Sequence, residues 1–199
     1  MKLSLIFHSI KNVPKTNWSS DTPLNFKPKL KTFILLCLGL SLFGFGESLL
    51  IHSTIGVSPW TVLAEGISLK LHWSVGFATF IVSVMVLSSW IFLKQKPGLG
   101  TLLNIIIIAG TIDLSLFLFD FSTNNLLLNV LTGILGVLFV GLGSGIYLIA
   151  NLGPGPRDGL MTGLQRITKF PIAWVRASIE ISLSRIHISE PTRPTPIAY

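Results

Sequence analysis

Charged residues are scarce in this chain of 199 residues: they make up 12% of the sequence, against roughly 25% in an ordinary soluble domain. Half of the residues are apolar, and the mean hydropathy is +0.71. So few charges cannot cover the surface of a water-soluble globule of this size. The apolar residues form long blocks instead of alternating with polar ones, which excludes an outer-membrane barrel. The composition therefore predicts an all-α, polytopic helical membrane protein in contact with the lipid bilayer.

Cysteine is nearly absent, and the sequence shows no cluster of metal ligands. The single cysteine, Cys37, lies inside an apolar run and cannot form an intrachain disulfide. No histidine has a cysteine or carboxylate partner at a spacing typical of a metal site. No Ser–His–Asp catalytic set can be assembled either. We therefore expect no metal, no cofactor and no enzymatic activity.

Acidic residues are outnumbered, with 8 Asp and Glu against 15 Lys and Arg and a net charge of +7. Six of the basic residues precede the first long apolar block, as the positive-inside rule expects of a cytoplasmic N-terminus. The basic residues are not gathered on any soluble unit, so the charge indicates orientation and not nucleic-acid binding. We expect a multi-pass protein of the inner (plasma) membrane, with residues 1–31 as a basic cytoplasmic segment.

Five apolar blocks are candidates for membrane spans. Four of them reach the roughly 20 residues that a spanning helix needs: Thr32–Ile51, Trp73–Leu93, Gly100–Phe119 and Leu127–Ala150. The fifth, Phe170–Leu183, is shorter and carries Arg176 and Glu180, which share a helix face and are expected to form a structural ion pair. Basic loops alternate with neutral ones, which predicts five spans with the last ending outside.

The two halves of the chain resemble each other after a shift of 97 positions. Leu38, Gly39, Gly44, Gly46, Gly56, Pro59, Leu63 and Gly66 coincide with Leu135, Gly136, Gly141, Gly143, Gly153, Pro156, Leu160 and Gly163. Three spans separate equivalent points, and an odd number reverses the direction through the membrane. The pattern predicts inverted three-span repeats, a plan common in secondary transporters: repeat 1 at 32–126, with a short helix at 57–70, and repeat 2 at 127–185. Chance matching of two abundant residue types is the alternative.

The repeat also predicts that the second copy is truncated. The counterpart of the third span would lie near 197–216, beyond the last residue. From about residue 185 the sequence instead becomes polar and proline-rich in the middle of a span. We expect residues 186–199 to be non-native sequence; a disordered tail is the alternative.

A Gly-x-x-Pro break in each half predicts a helix too short to span. Ser58 is a good N-cap before a proline at the first helical position, and Gly155 takes the same place in the second half. The free N–H groups and positive dipole end of such a helix favour an anionic group. Arg157 would add a guanidinium there, with Trp60 and Asp158 beside it. In the alternative, both short helices only cap the bundle and Trp60 belongs to an interfacial aromatic belt.

Two acidic residues lie within apolar spans, where charge is costly and usually functional. Glu47 lies about 22 Å into the first span and Asp113 about 20 Å into the third, at 1.5 Å per residue. At similar depth, they could share a proton or coordinate a cation. Alternatively, each faces the outer interface, and Asp113 hydrogen-bonds a neighbouring helix. The glycines of the spans, including Gly141-x-x-x-Gly145, are expected to serve close helix packing.

Several motifs resemble a known family. They are Gly56-Val-Ser-Pro-Trp60, Pro97-Gly-Leu-Gly-Thr101 leading to Gly110-Thr-Ile-Asp113, Leu152-Gly-Pro-Gly-Pro-Arg-Asp-Gly-Leu160, and Pro171-Ile-Ala-Trp-Val-Arg176 through Ile179-Glu180. Over roughly residues 32 to 184 the chain resembles the YczE-like (YitT/YczE-type) family of uncharacterised bacterial integral membrane proteins. The resemblance implies a topology with further spans after Glu180 and a membrane location. It implies no mechanism, because the family has no settled biochemical activity.

Two functional hypotheses follow from these residues. In the first, the protein is a transporter or permease for a small anionic or polar molecule. Glu47 and Asp113 would handle a coupling proton or cation, while Arg157 and the short-helix N-termini would hold the anion. In the second, it is a membrane accessory or scaffold protein without transport activity. A homo-oligomer is compatible with both hypotheses.

Overall fold

The computed structural model describes residues 16–119, 123 and 125–188, without the side chains of 184–188. All regular secondary structure in this part of the chain is helical, which confirms the all-α prediction. The helices are α1 (Leu30–Ser53), α2 (Pro59–Leu71), α3 (Val75–Ser89), α4 (Leu99–Leu118), α5 (Leu126–Ala150), α6 (Pro156–Thr168) and α7 (Ile172–Ile188). The start of the predicted cytoplasmic segment, 1–15, and most of the predicted non-native tail, 189–199, lie outside the described residues.

Three of the described helices, α1, α4 and α5, are long and apolar enough to cross a membrane. Helices α2 and α3 form a pair bent by 117°, which is the geometry of a broken span or of a re-entrant loop and makes a fourth span if the pair is counted as one. The second span is shorter than predicted, because α3 ends at Ser89 and the chain then turns through Lys94, whose φ is 51°. Its 15 residues cover about 22 Å, less than the roughly 30 Å of a bilayer core.

Helices α1 and α5 pack against each other in antiparallel directions, with glycines where they cross. A Cβ placed on Gly46 of α1 would lie 2.8 Å from the carbonyl oxygen of Gly136 on α5. A Cβ on Gly143 of α5 would lie 2.6 Å from the carbonyl oxygen of Gly39 on α1. The two backbones therefore touch at these points, as small residues allow between membrane helices.

The boundaries of α1, α2 and α3 agree with those of α5, α6 and α7 to within two residues after the shift of 97 positions. Helices α2 and α6 both have 13 residues and begin at equivalent prolines. The residue after α1 and the one after α5, Thr54 and Asn151, are both left-handed, with φ of 54° and 53°. So are those after α2 and α6, His72 and Lys169, with φ of 55° and 59°. Positive φ is uncommon outside glycine, so the likeness of the halves extends to their backbone. Their inverted orientation in the membrane stays a prediction.

Both short helices begin as their sequences predict. Ser58 is the N-cap of α2, and its hydroxyl accepts a hydrogen bond from the backbone N–H of Thr61 at 3.3 Å. Gly155 is the N-cap of α6. The loop before α6 is fixed by α4, since the hydroxyl of Thr101 donates to the carbonyl of Pro154 at 2.7 Å. The start of α6 is thereby held next to α4.

The buried apolar core lies between α1, α3, α4 and the end of α5. It comprises Leu36, Leu40, Val75, Ile108, Ile112, Tyr147, Ala150 and Leu152. Two core residues, Ile108 and Tyr147, also line the cavity at which the two short helices begin. The core therefore forms part of the wall of the site described next.

Candidate functional site

A cavity of about 500 Å³ lies at the centre of the bundle, and each of the seven described helices contributes to its wall. The structure brings five of the six predicted site residues to this cavity: Glu47, Ser58, Trp60, Arg157 and Asp158. The sixth, Asp113, does not line it. We refer to this space as the central cavity.

The first turns of the two short helices meet across the central cavity. Trp60 of α2 and Arg157 of α6 lie 97 positions apart and therefore occupy equivalent places in the two halves. The guanidinium carbon of Arg157 lies 5.4 Å from the centre of the Trp60 ring, within the range of a cation–π contact. The two helix N-termini are thus directed at one small volume.

The wall of the cavity is built largely from equivalent positions of the two halves. Six pairs of wall residues are 97 positions apart: Phe43 and Val140, Glu47 and Ser144, Ser58 and Gly155, Trp60 and Arg157, Thr79 and Arg176, Ser83 and Glu180. Within these pairs the first half supplies one carboxylate, and the second half supplies the two guanidinium groups and another carboxylate. The cavity therefore lies where the halves meet, and it is chemically asymmetric.

Glu47 is a buried carboxylate held in place by the first short helix. Its side chain is 3% exposed, and its Oε2 accepts a hydrogen bond from the hydroxyl of Thr61 at 2.6 Å. Glu47 also interacts electrostatically with Arg157. No nitrogen of Arg157 comes within 4.0 Å of a carboxylate oxygen of Glu47, and Oε1 of Glu47 has no hydrogen-bond partner among the described residues. One oxygen is thus fixed and the other is available to a ligand.

The indole N–H of Trp60 lacks a partner. Trp60 is 7% exposed, and its Nε1 has no hydrogen-bond acceptor in the described part of the chain. An indole nitrogen can only donate, and leaving such a donor buried and unpaired costs about 1–3 kcal/mol. An unsatisfied buried polar atom in a cavity wall indicates a missing partner, and here that partner must be an acceptor.

Arg157 and Asp158 lie in the first turn of the second short helix, and they differ in their hydrogen-bond partners. The half-buried guanidinium of Arg157 makes no hydrogen bond and no ion pair with any described residue. A carboxylate oxygen of Asp158 accepts a hydrogen bond from the hydroxyl of Tyr147, which ties α6 to α5. The bond from Thr61 to Glu47 ties α2 to α1 in the same manner. Arg157 therefore presents unused donors to the cavity, whereas Asp158 is engaged.

Thr61 and Tyr147 are the site residues that sequence reasoning missed. Tyr147 is one of two tyrosines in the chain and lies near the end of an apolar span, which is a detectable signal. Thr61 follows Trp60 directly, but nothing in the local pattern connects it with a carboxylate 14 positions earlier.

Asp113 belongs to the start of α3 and not to the central cavity. Its two carboxylate oxygens accept hydrogen bonds from the Ser74 hydroxyl at 2.6 Å and from the Gly76 backbone N–H at 2.7 Å. The structure corresponds to the alternative in which Asp113 bonds a neighbouring helix. It does not bring Asp113 and Glu47 to a shared site, because both oxygens of Asp113 already serve the N-terminus of α3.

The predicted ion pair is present on α7. The Nε of Arg176 lies 2.7 Å from the Oε1 of Glu180, and the two side chains are 67% and 34% exposed. A pair as accessible as this contributes only about 0.2–1 kcal/mol. Both residues line the central cavity, so the pair also forms part of its wall. No three His, Cys, Asp or Glu side chains converge as a metal site among the described residues.

A helical bundle with membrane-length helices and a polar cavity between its halves defines a polytopic integral membrane protein. The chain belongs to a family of unknown function, DUF6198, whose model matches residues 30–188 and so all seven helices. No solved structure matches the chain.

Three bacterial relatives are similar over most of their length. An uncharacterized protein of Haemophilus influenzae is 37% identical over 87% of this chain and 78% of its own length. The uncharacterized membrane protein YczE of Bacillus subtilis is 31% identical, over 73% and 68% respectively. The uncharacterized protein YyaS of the same organism is 31% identical, over 71% and 72%. The resemblance to YczE-like proteins and the membrane location are thereby confirmed.

Proposed function

We propose that this protein is a transporter or permease of the inner (plasma) membrane for a small polar molecule that carries an anionic group. One observation carries the proposal. Two short helices begin at a single central cavity, where the guanidinium of Arg157 and the indole N–H of Trp60 have no acceptor among the described residues.

The chemistry of the cavity wall supports an anionic group in the ligand. A helix N-terminus carries about half a positive charge and free N–H groups, and it is a common anion-binding element. Arg157 adds a full charge and five donors in a geometry that fits a carboxylate. The unpaired N–H of Trp60 requires an acceptor as well.

The position of the cavity supports transport. In inverted-repeat transporters the substrate site lies near the membrane midplane at the repeat interface, beside broken helices. Six pairs of equivalent residues line this cavity. Residues in the first turns of the short helices α2 and α6 are among them. In this proposal the N-terminus is cytoplasmic, the two halves are inverted repeats, and Glu47 handles the coupling proton or cation without Asp113.

Flux measurements on proteoliposomes test the proposal. The purified full chain is reconstituted, and uptake of labelled propionate, lactate, alanine and inorganic phosphate is measured with and without an inward proton gradient. We expect protein-dependent uptake of at least one probe, reduced about tenfold or more in Arg157→Gln. Glu47→Gln is expected to remove the effect of the gradient. Uptake of every probe at the level of protein-free liposomes, from monodisperse protein, would contradict transport.

An accessory role is the second candidate, and it is favoured by the uncovered face of α5. In the most apolar window of α5 only 11% of residues are buried within the described chain, against 44% in α1 and 39% in α4. An apolar groove of about 380 Å³ runs beside Gly133 and Gly56 on this face. A stable complex with another membrane protein that is lost in Gly133→Trp, without any flux, would support this role.

A further inference from the structure

We infer that the ligand of the central cavity is a zwitterion, with a carboxylate and an ammonium group a few bonds apart, as in an α-amino acid. The inference rests on the proposed function only for the statement that this cavity is the substrate site. It goes beyond that function by naming the charge pattern of the ligand and the residue that meets each charge.

On the positive side of the cavity, two side chains have donors that no described residue satisfies. These are the guanidinium of Arg157 and the indole N–H of Trp60, and the N-termini of the short helices add the positive ends of their dipoles. Arg157 and Trp60 are in contact at 5.4 Å, so one carboxylate can reach both. Trp60 is more than nine-tenths buried, which makes its missing acceptor a feature of the cavity and not of the protein surface.

The negative side is the carboxylate of Glu47. The hydroxyl of Thr61 holds its Oε2 at 2.6 Å, and its Oε1 has no hydrogen bond within the described chain. An ammonium group has three donors and no acceptor, so it matches an oriented carboxylate oxygen that is otherwise unused.

The relative positions of Glu47 and Arg157 favour a zwitterionic ligand over a simple anion or a simple cation. They interact electrostatically and line one cavity, yet no ion pair within 4.0 Å joins them. Buried charges are costly unless they are paired. A simple anion bound to Arg157 would stand beside the charge of Glu47, and a simple cation bound to Glu47 would stand beside Arg157. Only a ligand with both charges pairs each group at once.

The space available is compatible with this ligand class. The cavity volume of about 500 Å³ falls within the range of small-molecule sites, roughly 300–1,000 Å³. Apolar wall residues such as Phe43, Ile108 and Met161 can contact the hydrocarbon part of an amino acid.

Binding measurements with matched probes test the inference. The purified full chain in detergent is titrated by calorimetry with leucine, with 4-methylpentanoate, which lacks the ammonium group, and with 3-methylbutylamine, which lacks the carboxylate. Alanine, propionate and ethylamine form a second, smaller set. We expect the zwitterion of at least one set to bind about tenfold or more tightly than either of its single-charge analogues.

Substitutions assign each charge. In Glu47→Gln we expect the preference of the zwitterion over its carboxylate analogue to fall about tenfold, while the carboxylate analogue binds at least as tightly as before. In Arg157→Gln we expect the preference over the amine to fall instead. Glu65→Gln is the matched control, since Glu65 interacts electrostatically with Glu47 but does not line the cavity. We expect this variant to keep the wild-type preference.

The outcomes separate this inference from the proposed function. Three results would overturn the inference that the ligand is a zwitterion: equal binding of carboxylate and zwitterion, tighter binding of the amine, or no binding of any probe. The flux assay would then still test transport of another solute. Selective binding without flux would retain the zwitterion and contradict the transporter. If Glu47→Gln does not yield monodisperse protein, the comparison of the three probes on the unmodified chain decides.

Discussion

Trp60 and Arg157 occupy equivalent positions in the two short helices, yet one side chain is an aromatic donor and the other a cation. Their contact at 5.4 Å joins the halves at the cavity. The same divergence separates Glu47 from its equivalent Ser144, whose hydroxyl donates to its own helix at the carbonyl of Val140. At the residue scale, the proposed function therefore depends on the positions at which the halves differ.

The unpaired N–H of Trp60 predicts that replacing this buried residue with a smaller aromatic one stabilises the protein, whereas most substitutions of buried residues destabilise it. Trp60→Phe removes the unsatisfied donor but keeps an aromatic ring for Arg157. We expect the ligand-free protein to become more stable by about 1 kcal/mol, measured by thermal unfolding in detergent. Trp60→Ala serves as the comparison and should be destabilising by about 3–5 kcal/mol, as for other buried aromatic residues. Destabilisation by Trp60→Phe beyond the cost of the smaller ring would contradict an unpaired indole N–H.

The hydrogen bond from Thr61 to Glu47 can be tested by a near-isosteric change. Thr61→Val removes the hydroxyl and leaves the buried carboxylate without its donor, so we expect a loss of about 1.5–3 kcal/mol in unfolding free energy. In a double-mutant cycle with Glu47→Gln, the two effects should couple and not add. Additive effects would show that the two side chains do not interact.

At the scale of elements, the crossing of α1 and α5 depends on glycines that face backbone atoms. A Cβ on Gly46 would lie 2.7 Å from the backbone nitrogen of Val140. A Cβ on Gly141 or Gly145 would meet no described residue within 4 Å, so the expectation that these two glycines serve close helix packing is wrong for the described part of the chain. We expect Gly46→Ala to destabilise the protein by about 1–3 kcal/mol through overpacking. Gly141→Ala is the matched control and should be neutral or stabilising, by up to about 1 kcal/mol. Unfolding in detergent compares the two; equal effects would contradict the described crossing.

The starts of the short helices could be predicted because their causes lie within one turn. A cap such as Ser58 and a proline after it act on the adjacent backbone. The end of α3 could not be predicted, because Trp90 turns away to donate its Nε1–H to the carbonyl of Pro156 at 3.1 Å. Glu47 and Asp113 look alike in the sequence for the same reason: their partners, on α2 and at the start of α3, are brought to them only by the fold.

At the scale of the whole molecule, the shift of 97 positions predicts two copies of one three-span unit. It could not reveal the central cavity, since residues from all seven described helices form its wall. The position of each charge there follows from helix packing and not from spacing along the chain.

The predicted orientation can be tested by thiol labelling. In a Cys37→Ser background, single cysteines replace Ile55, in the loop after α1, and Phe92, in the loop after α3; these side chains are 55% and 86% exposed. Alternation of basic and neutral loops predicts opposite sides. A membrane-impermeant maleimide should label Ile55→Cys in intact cells and Phe92→Cys only after permeabilisation. Labelling of both in intact cells would contradict the predicted placement of these two loops on opposite sides.

The separate, unpaired placement of Glu47 and Arg157 has an electrical consequence. A ligand that neutralises both groups carries no net charge, so its passage does no work against the membrane potential. That potential is worth about 2.3 kcal/mol per elementary charge per 100 mV, and it would act only on a proton or cation that moves together with the ligand. The voltage dependence of uptake would then count the coupling ions moved in each cycle.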